Sequence, residues 1–421
     1  MNILMMTNTF TPFVGGVSRS VTAFSEELRK MGHRVVVVAP EFENMPESEC
    51  DVIRIPAIQH FNGSDFALVL PIPGYLSTHL ERFKPDIVHS HHPHLLGGAA
   101  VRIAGRFDCP LVFTYHTMYE HYLHYVPTEA KRLRRFVINL VTGYCDLCDH
   151  VIAPSRSVVE ILRERGVETP IDVVPTGVDI ERFKEGDGCA FRRSHRIPEN
   201  AFVAGYVGRL APEKNLSFLA EAVGRFVSQA PQGRFLVVGS GPSEQEVRRI
   251  FHGLGHTDRL HLVGSLEGQA LTDAYHGMDC FVFASCTETQ GMVLTEAMAS
   301  GRPVVGIDAP GVREVVEDRR NGRLLPSQDV PAFAEAVREM AQAKPEQVHA
   351  YRRAARATAA EFSMETSAQK LASVYEKVLA RDARDSKDES TWGGAIEAIK
   401  AEWELIKNIA EAATRTLRKT E

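Results

Sequence analysis

No stretch of this chain of 421 residues reaches the ~18 consecutive apolar positions that a membrane-spanning helix needs. The opening residues, Met1-Asn-Ile-Leu-Met-Met6, lack a basic flank and a small-residue cleavage site, so they read as a first β-strand and not as a signal peptide. Basic charge is not in excess. The 48 Lys and Arg against 54 Asp and Glu leave a net charge of −6, which gives no support to nucleic-acid binding. Seven cysteines are scattered along the chain, and Cys145 and Cys148 form a CxxC with no second pair, which weighs against a zinc or redox site. The set reads as buried thiols in a reducing compartment. Tryptophan is scarce, with Trp392 and Trp403 as its whole complement. What is present, 44% hydrophobic and 24% charged residues, describes a globular protein, expected to be cytoplasmic, soluble or peripheral.

The length suggests two domains of ordinary size. Ile3–Met6, Val35–Ala39, Ile87–His89, Leu111–Thr114 and Val151–Ala153 are short apolar runs separated mostly by amphipathic stretches. A second series runs through Phe202–Val207, Phe235–Val238, Leu260–Val263, Cys280–Phe283 and Val304–Gly306. Alternation of this kind predicts two α/β domains with parallel sheets, with ligands at the carboxyl ends of the strands and a cleft between facing domains. The stretch after Val173, with Gly186, Gly188 and Pro198, reads as a linker. The expected division is 1–180, 181–362, a helix over 363–381 that crosses back to the first domain, and a tail over 382–421. In that tail a charged connector precedes Trp392, Ile396, Ile399, Trp403, Ile406 and Ile409 at helical spacing. This amphipathic C-terminal helix could pack on the body or a partner chain, or lie on a membrane surface.

The most informative segment is Cys286-Thr-Glu288-Thr-Gln-Gly291-Met-Val-Leu-Thr-Glu296, which follows an apolar strand and places two glutamates eight positions apart. Gly291 frees the turn, Met292 to Ser300 reads as a helix, and Gly301 fits its stop. That helix N-terminus is a natural anion seat. Carboxylates beside a phosphate site suit hydroxyl groups on either side of it, which is the layout of a nucleotide sugar. A glycosidase acid–base pair is the rival reading. Eight helical residues span about 12 Å, against roughly 5 to 9.5 Å for hydrolase pairs, although a loop could shorten the gap.

Tyr206-Val-Gly208-Arg209-Leu-Ala-Pro-Glu-Lys214-Asn215 follows the first strand of the second domain. Arg209 can grip phosphate oxygens in a fork and Lys214 adds a compact charge, so the two would neutralise a leaving diphosphate without a metal ion. Gly15-Gly16 follows the first strand of the chain and opens a helix, allowing close approach of a ligand to the backbone, but the full GxGxxG dinucleotide fingerprint is missing. His116 ends the Leu111–Thr114 strand and is expected to offer a neutral imidazole to a sugar hydroxyl. His89, His91, His92 and His94 lack a neighbouring carboxylate in spacing and read as cleft lining instead of metal ligands.

Together, Gly15-Gly16, His116, Pro175-Thr-Gly-Val-Asp179, Gly208-Arg209, Glu213-Lys214-Asn215 and Glu288 through Glu296 resemble the retaining nucleotide-sugar glycosyltransferases of GT-B architecture, of the glycosyltransferase family 4 type. The resemblance covers essentially 1–380. It implies two Rossmann-like domains and no metal or cofactor, with a UDP-sugar such as UDP-glucose as donor substrate. It implies that Gly16 approaches the diphosphate and acceptor, that Val17 binds the acceptor, that Gly208, Arg209 and Lys214 hold the diphosphate, and that Glu288 binds sugar hydroxyls. Gly291, Met292, Val293 and Leu294 would line the donor site, and Glu296 would bind the ribose. The nucleotide base would be held near His261–Gly264. Within the family, Thr114-Tyr-His-Thr-Met-Tyr119-Glu120-His-Tyr122-Leu-His124-Tyr125 is similar to bacterial diacylglycerol glucosyltransferases, which implies a lipid acceptor at Tyr119, Tyr122 and Tyr125.

The basic amphipathic stretch with Lys131, Arg132, Arg134 and Arg135 then reads as a contact for an anionic membrane, or else as a solvated helix face. The expected reaction is transfer of a hexose, glucose by family default, from a UDP-sugar to diacylglycerol or a similar lipid, with retention. A polyol or polysaccharide acceptor, a nucleotide-sugar epimerase and a non-catalytic membrane-docking protein are the alternatives. Oligomeric state is not legible.

Overall fold

The computed structural model describes residues 1–13, 15–46, 48–58, 68–69, 76–119 and 130–385. Two compact units divide the chain: Met1–Gly177 with the segment from Met364 onward, and Val178–Ser363.

The first unit is built on a parallel sheet of β1 (Asn2–Met6), β2 (Arg34–Pro40), β3 (Val52–Ile55), β4 (Ile87–Ser90), β5 (Leu111–Thr114), β6 (His150–Ala153) and β7 (Ile171–Val173), in the order β3-β2-β1-β4-β5-β6-β7. The central strands are buried on both faces, as their continuous apolar runs require. One face packs against helices Leu96–Phe107 and Ala130–Asp146 through Leu96, Ala100, Tyr144 and Cys145. The other is covered by helix Gly16–Lys30 and by helix Met364–Asp385, whose Ala368, Leu371 and Tyr375 join Ile3, Met5, Val21 and Phe24 in one cluster. The long C-terminal helix is therefore part of this unit's core. Residues 386–421 of the expected tail, Trp392 and Trp403 among them, lie outside the described residues.

The second unit repeats the plan with β8 (Phe202–Val207), β9 (Gly233–Val238), β10 (Leu260–Leu262), β11 (Cys280–Phe283), β12 (Val304–Ile307) and β13 (Gly322–Leu325), in the order β10-β9-β8-β11-β12-β13. All pairings within both large sheets are parallel. The order reverses between β1 and β4 in the first unit and between β8 and β11 in the second, and such reversals open a crevice at the carboxyl ends of the strands.

Two expectations need correction. The supposed linker is folded into the second unit: helices Ile180–Lys184 and Gly188–Ser194 bury Phe183 and Phe191, and Asp179 and Asp187 cap them through the N–H groups of Arg182 and Ala190. Cap residues and short amphipathic turns give a polar composition without making a linker. The cysteines are not uniformly buried either, since Cys50 and Cys189 are exposed while Cys145, Cys148 and Cys280 are interior; all seven are free thiols.

Candidate active site

In the second unit, the loops leaving β8 and β11 meet at the strand-order reversal. After β8 the chain passes Gly208 (φ +152) and Arg209, makes a single 3₁₀ turn over Pro212–Lys214, and enters helix Leu216–Gln229 through Asn215 in the left-handed region at φ 56. After β11, residues 284–290 lead to Gly291, whose φ of 72 suits glycine, and then to helix Met292–Ala299. Side chains tie the two loops together. Asn215 Nδ2 donates to the Ala284 carbonyl at 3.2 Å, and the hydroxyls of Ser285 and Thr287 each donate to the Glu213 carbonyl at 3.4 Å.

At the centre of this junction Lys214 Nζ donates to Glu288 Oε1 at 2.6 Å, with side chains 20% and 16% exposed. Burial pushes the Glu288 carboxyl up, but the Lys214 charge, hydrogen bonds from Lys214 and Ser285 and the charge of Arg209 bring it below the usual carboxylate range. Arg209, half exposed at 51%, pairs with Glu213. Lys214 and Glu288 thus stand face to face as a pair. Each cation has its own carboxylate, and the helix N-termini at Leu216 and Met292 supply further positive potential.

Glu296 is 6% exposed and accepts a hydrogen bond from Tyr275 Oη at 2.7 Å. Met292 and Val293 are half-buried in the first helical turn. Leu294 has a fully buried side chain in the core of the second unit and an N–H bonded to the Gly291 carbonyl at 2.9 Å. The Gly264 carbonyl, in the segment expected to meet the base, receives the Gly239 N–H at 2.7 Å.

Several residues that build this junction escape a reading of motifs. Tyr275 and Ser285 act through contacts distant in sequence. A Cβ added at Gly239 would fall 2.0 Å from the Gly208 carbonyl oxygen, and one at Gly311 would fall 2.8 Å from the Gln290 nitrogen. These glycines let neighbouring loops close on Gly208 and on the entry to Gly291. Gly239-Ser-Gly241 was the one visible signal, as a glycine pair directly after a strand.

In the first unit, Gly15 caps helix Gly16–Lys30 in an extended conformation, and Gly16 is exposed, with open space where a Cβ would stand. Val17 is half-buried against the core. Asn8 stitches this loop to the end of β4: its backbone N–H meets His92 Nδ1 at 3.1 Å and its amide donates to the His94 carbonyl at 2.9 Å. The histidines do not form a simple lining. His89, His91 and His92 are buried, and His89 is held between Tyr375 Oη at 2.6 Å and Thr114 Oγ1 at 2.7 Å. His116 is half-buried, and its Nε2 lies 2.9 Å from His91 Nδ1. Burial pulls His116 down to about 3, and burial together with the His116 charge does the same to His89, so both rings are neutral near neutral pH. Among the described residues, no group of three or more His, Cys, Asp or Glu is placed to hold a metal ion, and no helix is long and apolar enough to cross a membrane.

Tyr119 packs against the core beside His94, with ring centroids 5.4 Å apart. Tyr122 and Tyr125 lie outside the described residues. Helix Ala130–Asp146 carries Lys131, Arg132, Arg134 and Arg135 in its first turns; Arg134 is exposed and Arg135 half-buried, while the side chains of Lys131 and Arg132 lie outside the described set.

Residues 14–182 match the model of Glycosyltransferase Family 4, and residues 201–343 that of Glycosyl transferases group 1. An alpha-monoglucosyldiacylglycerol synthase of Acholeplasma laidlawii is 29% identical over 342 residues, which make up 76% of this chain and 84% of the relative. A GDP-mannose-dependent alpha-mannosyltransferase of Mycobacterium tuberculosis is 31% identical over 333 residues, 77% of this chain and 83% of the relative. The crystal structure of Anabaena HepE in complex with UDP and glucose superposes with a TM-score of 0.71 at 20% identity, covering 89% of this chain and 99% of that one. That likeness establishes the GT-B fold.

Proposed function

Because the chain belongs to the family 4 glycosyltransferases, we propose that it moves glucose, or a related hexose, from a UDP-sugar to diacylglycerol or a similar membrane lipid, with retention of anomeric configuration. The observation that carries the donor site is the Lys214–Glu288 pair at the meeting of the β8 and β11 loops. A diphosphate arriving there would replace Glu288 as the partner of Lys214. Lys214 and Arg209 would then neutralise the leaving group, and Glu288 would turn to the sugar hydroxyls. As the bond from C1 to the diphosphate oxygen breaks, its electron pair leaves with the phosphate, and charge grows where the two cations and the helix N-termini already stand. The acceptor hydroxyl attacks from the same face and gives its proton to the departing phosphate oxygen. No metal is needed on this reading. Glu296, held by Tyr275, would take the ribose, and His116 a sugar hydroxyl.

The lipid acceptor is supported by similarity to the alpha-monoglucosyldiacylglycerol synthase and by the basic run from Lys131 to Arg135 at the start of its helix. Such a run attracts an anionic lipid surface. A mannosyltransferase relative makes GDP-mannose the competing donor.

The test is an assay with labelled UDP-glucose or GDP-mannose, with and without diacylglycerol in anionic vesicles, in the presence of EDTA. Labelled glycolipid from UDP-glucose, undiminished by EDTA and dependent on lipid, is the expected result. Product from GDP-mannose alone would overturn the donor, an isomerised free sugar without lipid product would overturn the transferase reading, and loss with EDTA would overturn the two-cation argument.

A further inference from the structure

Helix Pro345–Glu361 carries Val348, Tyr351, Arg352, Ala355, Arg356 and Ala359 on one stripe, and Ala355 and Ala359 are fully buried in the core of the second unit. Two arginines therefore share the inward side of the helix with alanines. Arg352 is half-buried and lines a cavity of about 110 Å³ with Phe202, Asp279, Pro303, Val348 and Tyr351. These residues gather at the amino ends of β8, β11 and β12, the end of the sheet opposite the Lys214–Glu288 junction. Arg352 Nε is buried and has no hydrogen-bond partner. Arg356 lies over Gly301, where a Cβ would stand 2.9 Å from Arg356 Nε and 3.1 Å from its Nη2. Arg302 comes next in the chain and is 9% exposed. It donates from Nε to the Ser300 carbonyl at 3.1 Å and from Nη1 to the Met278 carbonyl at 2.7 Å. Among the described residues, nothing accepts from its Nη2.

The local charge does not balance. Asp279, the carboxylate in the cavity wall, is already engaged, with Arg192 Nη2 and the Val203 N–H both donating to its Oδ2 at 2.8 Å. Among the described residues, no carboxylate pairs with Arg302, Arg352 or Arg356. The carboxyl end of helix Met292–Ala299, beside Gly301, offers about half a negative charge against these guanidiniums. Burial, and next the charge of Arg352, draw Arg302 down to about 10, although Asp279 pulls the other way. Crowded cations with buried N–H groups left over are costly unless an anion joins them.

We propose that Arg302, Arg352 and Arg356 form an anion site that takes one phosphoryl group. A phosphate presents several acceptor oxygens, and a guanidinium fork holds two of them at once. The cavity has room for about three or four waters at ~30 Å³ each, which suits a phosphate head and not a whole nucleotide. The site stands whatever group reacts at the other end of the sheet. Free phosphate and the phosphate head of a lipid share this chemistry.

Inorganic phosphate, titrated into the intact ¹⁵N-arginine-labelled chain near neutral pH with ionic strength held constant by sodium chloride, tests the site. The Arg352 Nε–H signal, identified by its loss in Arg352→Gln, should shift saturably with a midpoint of about a millimolar or below. The shift should be equal in Lys214→Ala, which disables the phosphate grip proposed at the opposite end. Arg356→Gln should raise the midpoint about tenfold without lowering the Tm in phosphate-free buffer, because a repelling charge is gone. A lowered Tm with an unchanged midpoint would mark Arg356 as structural and overturn the proposal, as would a shift that chloride alone reproduces or that Lys214→Ala abolishes. If phosphate leaves Arg352 unmoved, co-sedimentation with phosphatidic acid vesicles decides. Binding reduced in the double variant Arg352→Gln, Arg356→Gln assigns the site to a lipid head, and binding unchanged in it sinks the proposal.

Discussion

Charge at the junction of the β8 and β11 loops is balanced residue by residue. Lys214 has Glu288 and Arg209 has Glu213, so under the proposed function an incoming diphosphate would compete with carboxylates for both cations. The exchange is favourable only where a bidentate anion with more charge replaces a single carboxylate. Lys214→Ala should therefore lower turnover about tenfold or more, because a charged hydrogen bond in a partly dry site is worth a few kcal/mol. Steady-state kinetics on the proposed substrates reads this directly, and unchanged turnover would remove Lys214 from the reaction. The Glu288 side of the pair has a pH signature: its carboxyl is lowered from 4.5, so its stabilising contribution is complete above that value and is lost as pH falls through the lower folded value. The spacing of Glu288 and Glu296, and of Arg209 and Lys214, was legible in the sequence. Their pairing was not, because Lys214 and Glu288 stand 74 residues apart and meet only when the loops after β8 and β11 become neighbours.

At the level of single elements, the turn into helix Met292–Ala299 shows how local chemistry sets the site. Gly291 sits at φ 72, and a Cβ there would come within 2.9 Å of Leu294 Cδ1. Gly291→Ala should cost about 1–2 kcal/mol for the left-handed backbone, before any clash with Leu294 is relieved. A lowered Tm by thermal denaturation, with weaker donor binding, is the expected pair of results; an unchanged Tm would show that the turn relaxes to another conformation. This element was readable from glycine placement and apolar period alone, and its bounds follow the sequence within a residue. Edge strands β3, β7 and β13 were not, since their half-exposed residues break the continuous apolar pattern that marks buried parallel strands. The capped helices after Val178 failed for a related reason, because Asp179 and Asp187 are as common in loops as at helix starts.

At the scale of the whole molecule, the most deeply buried histidines among the described residues lie in the first unit, with His89, His91 and His92 among them at no more than 7% exposed. Their folded values lie below the unfolded imidazole value of 6.5, so the unfolded chain binds more protons below that pH and stability falls as the solution is acidified. For His89 alone, drawn down to about 3, the loss at pH 5 is about 2 kcal/mol. Hydrogen exchange of peptides from each unit, corrected for the intrinsic effect of pH, should show protection lost first around β4 and β5, with β8 and β11 more persistent. Equal loss in both units would contradict this.

The second unit begins and ends at the same place. Val178 donates its N–H to the Phe362 carbonyl at 2.8 Å and bridges to Ser363, while the chain before and after belongs to the first unit. Residues 178–363 are thus an insert with its two ends already fastened. A chain segment whose two ends already meet can be exchanged as one piece without inventing a new closure, so the two units can vary in sequence independently of one another.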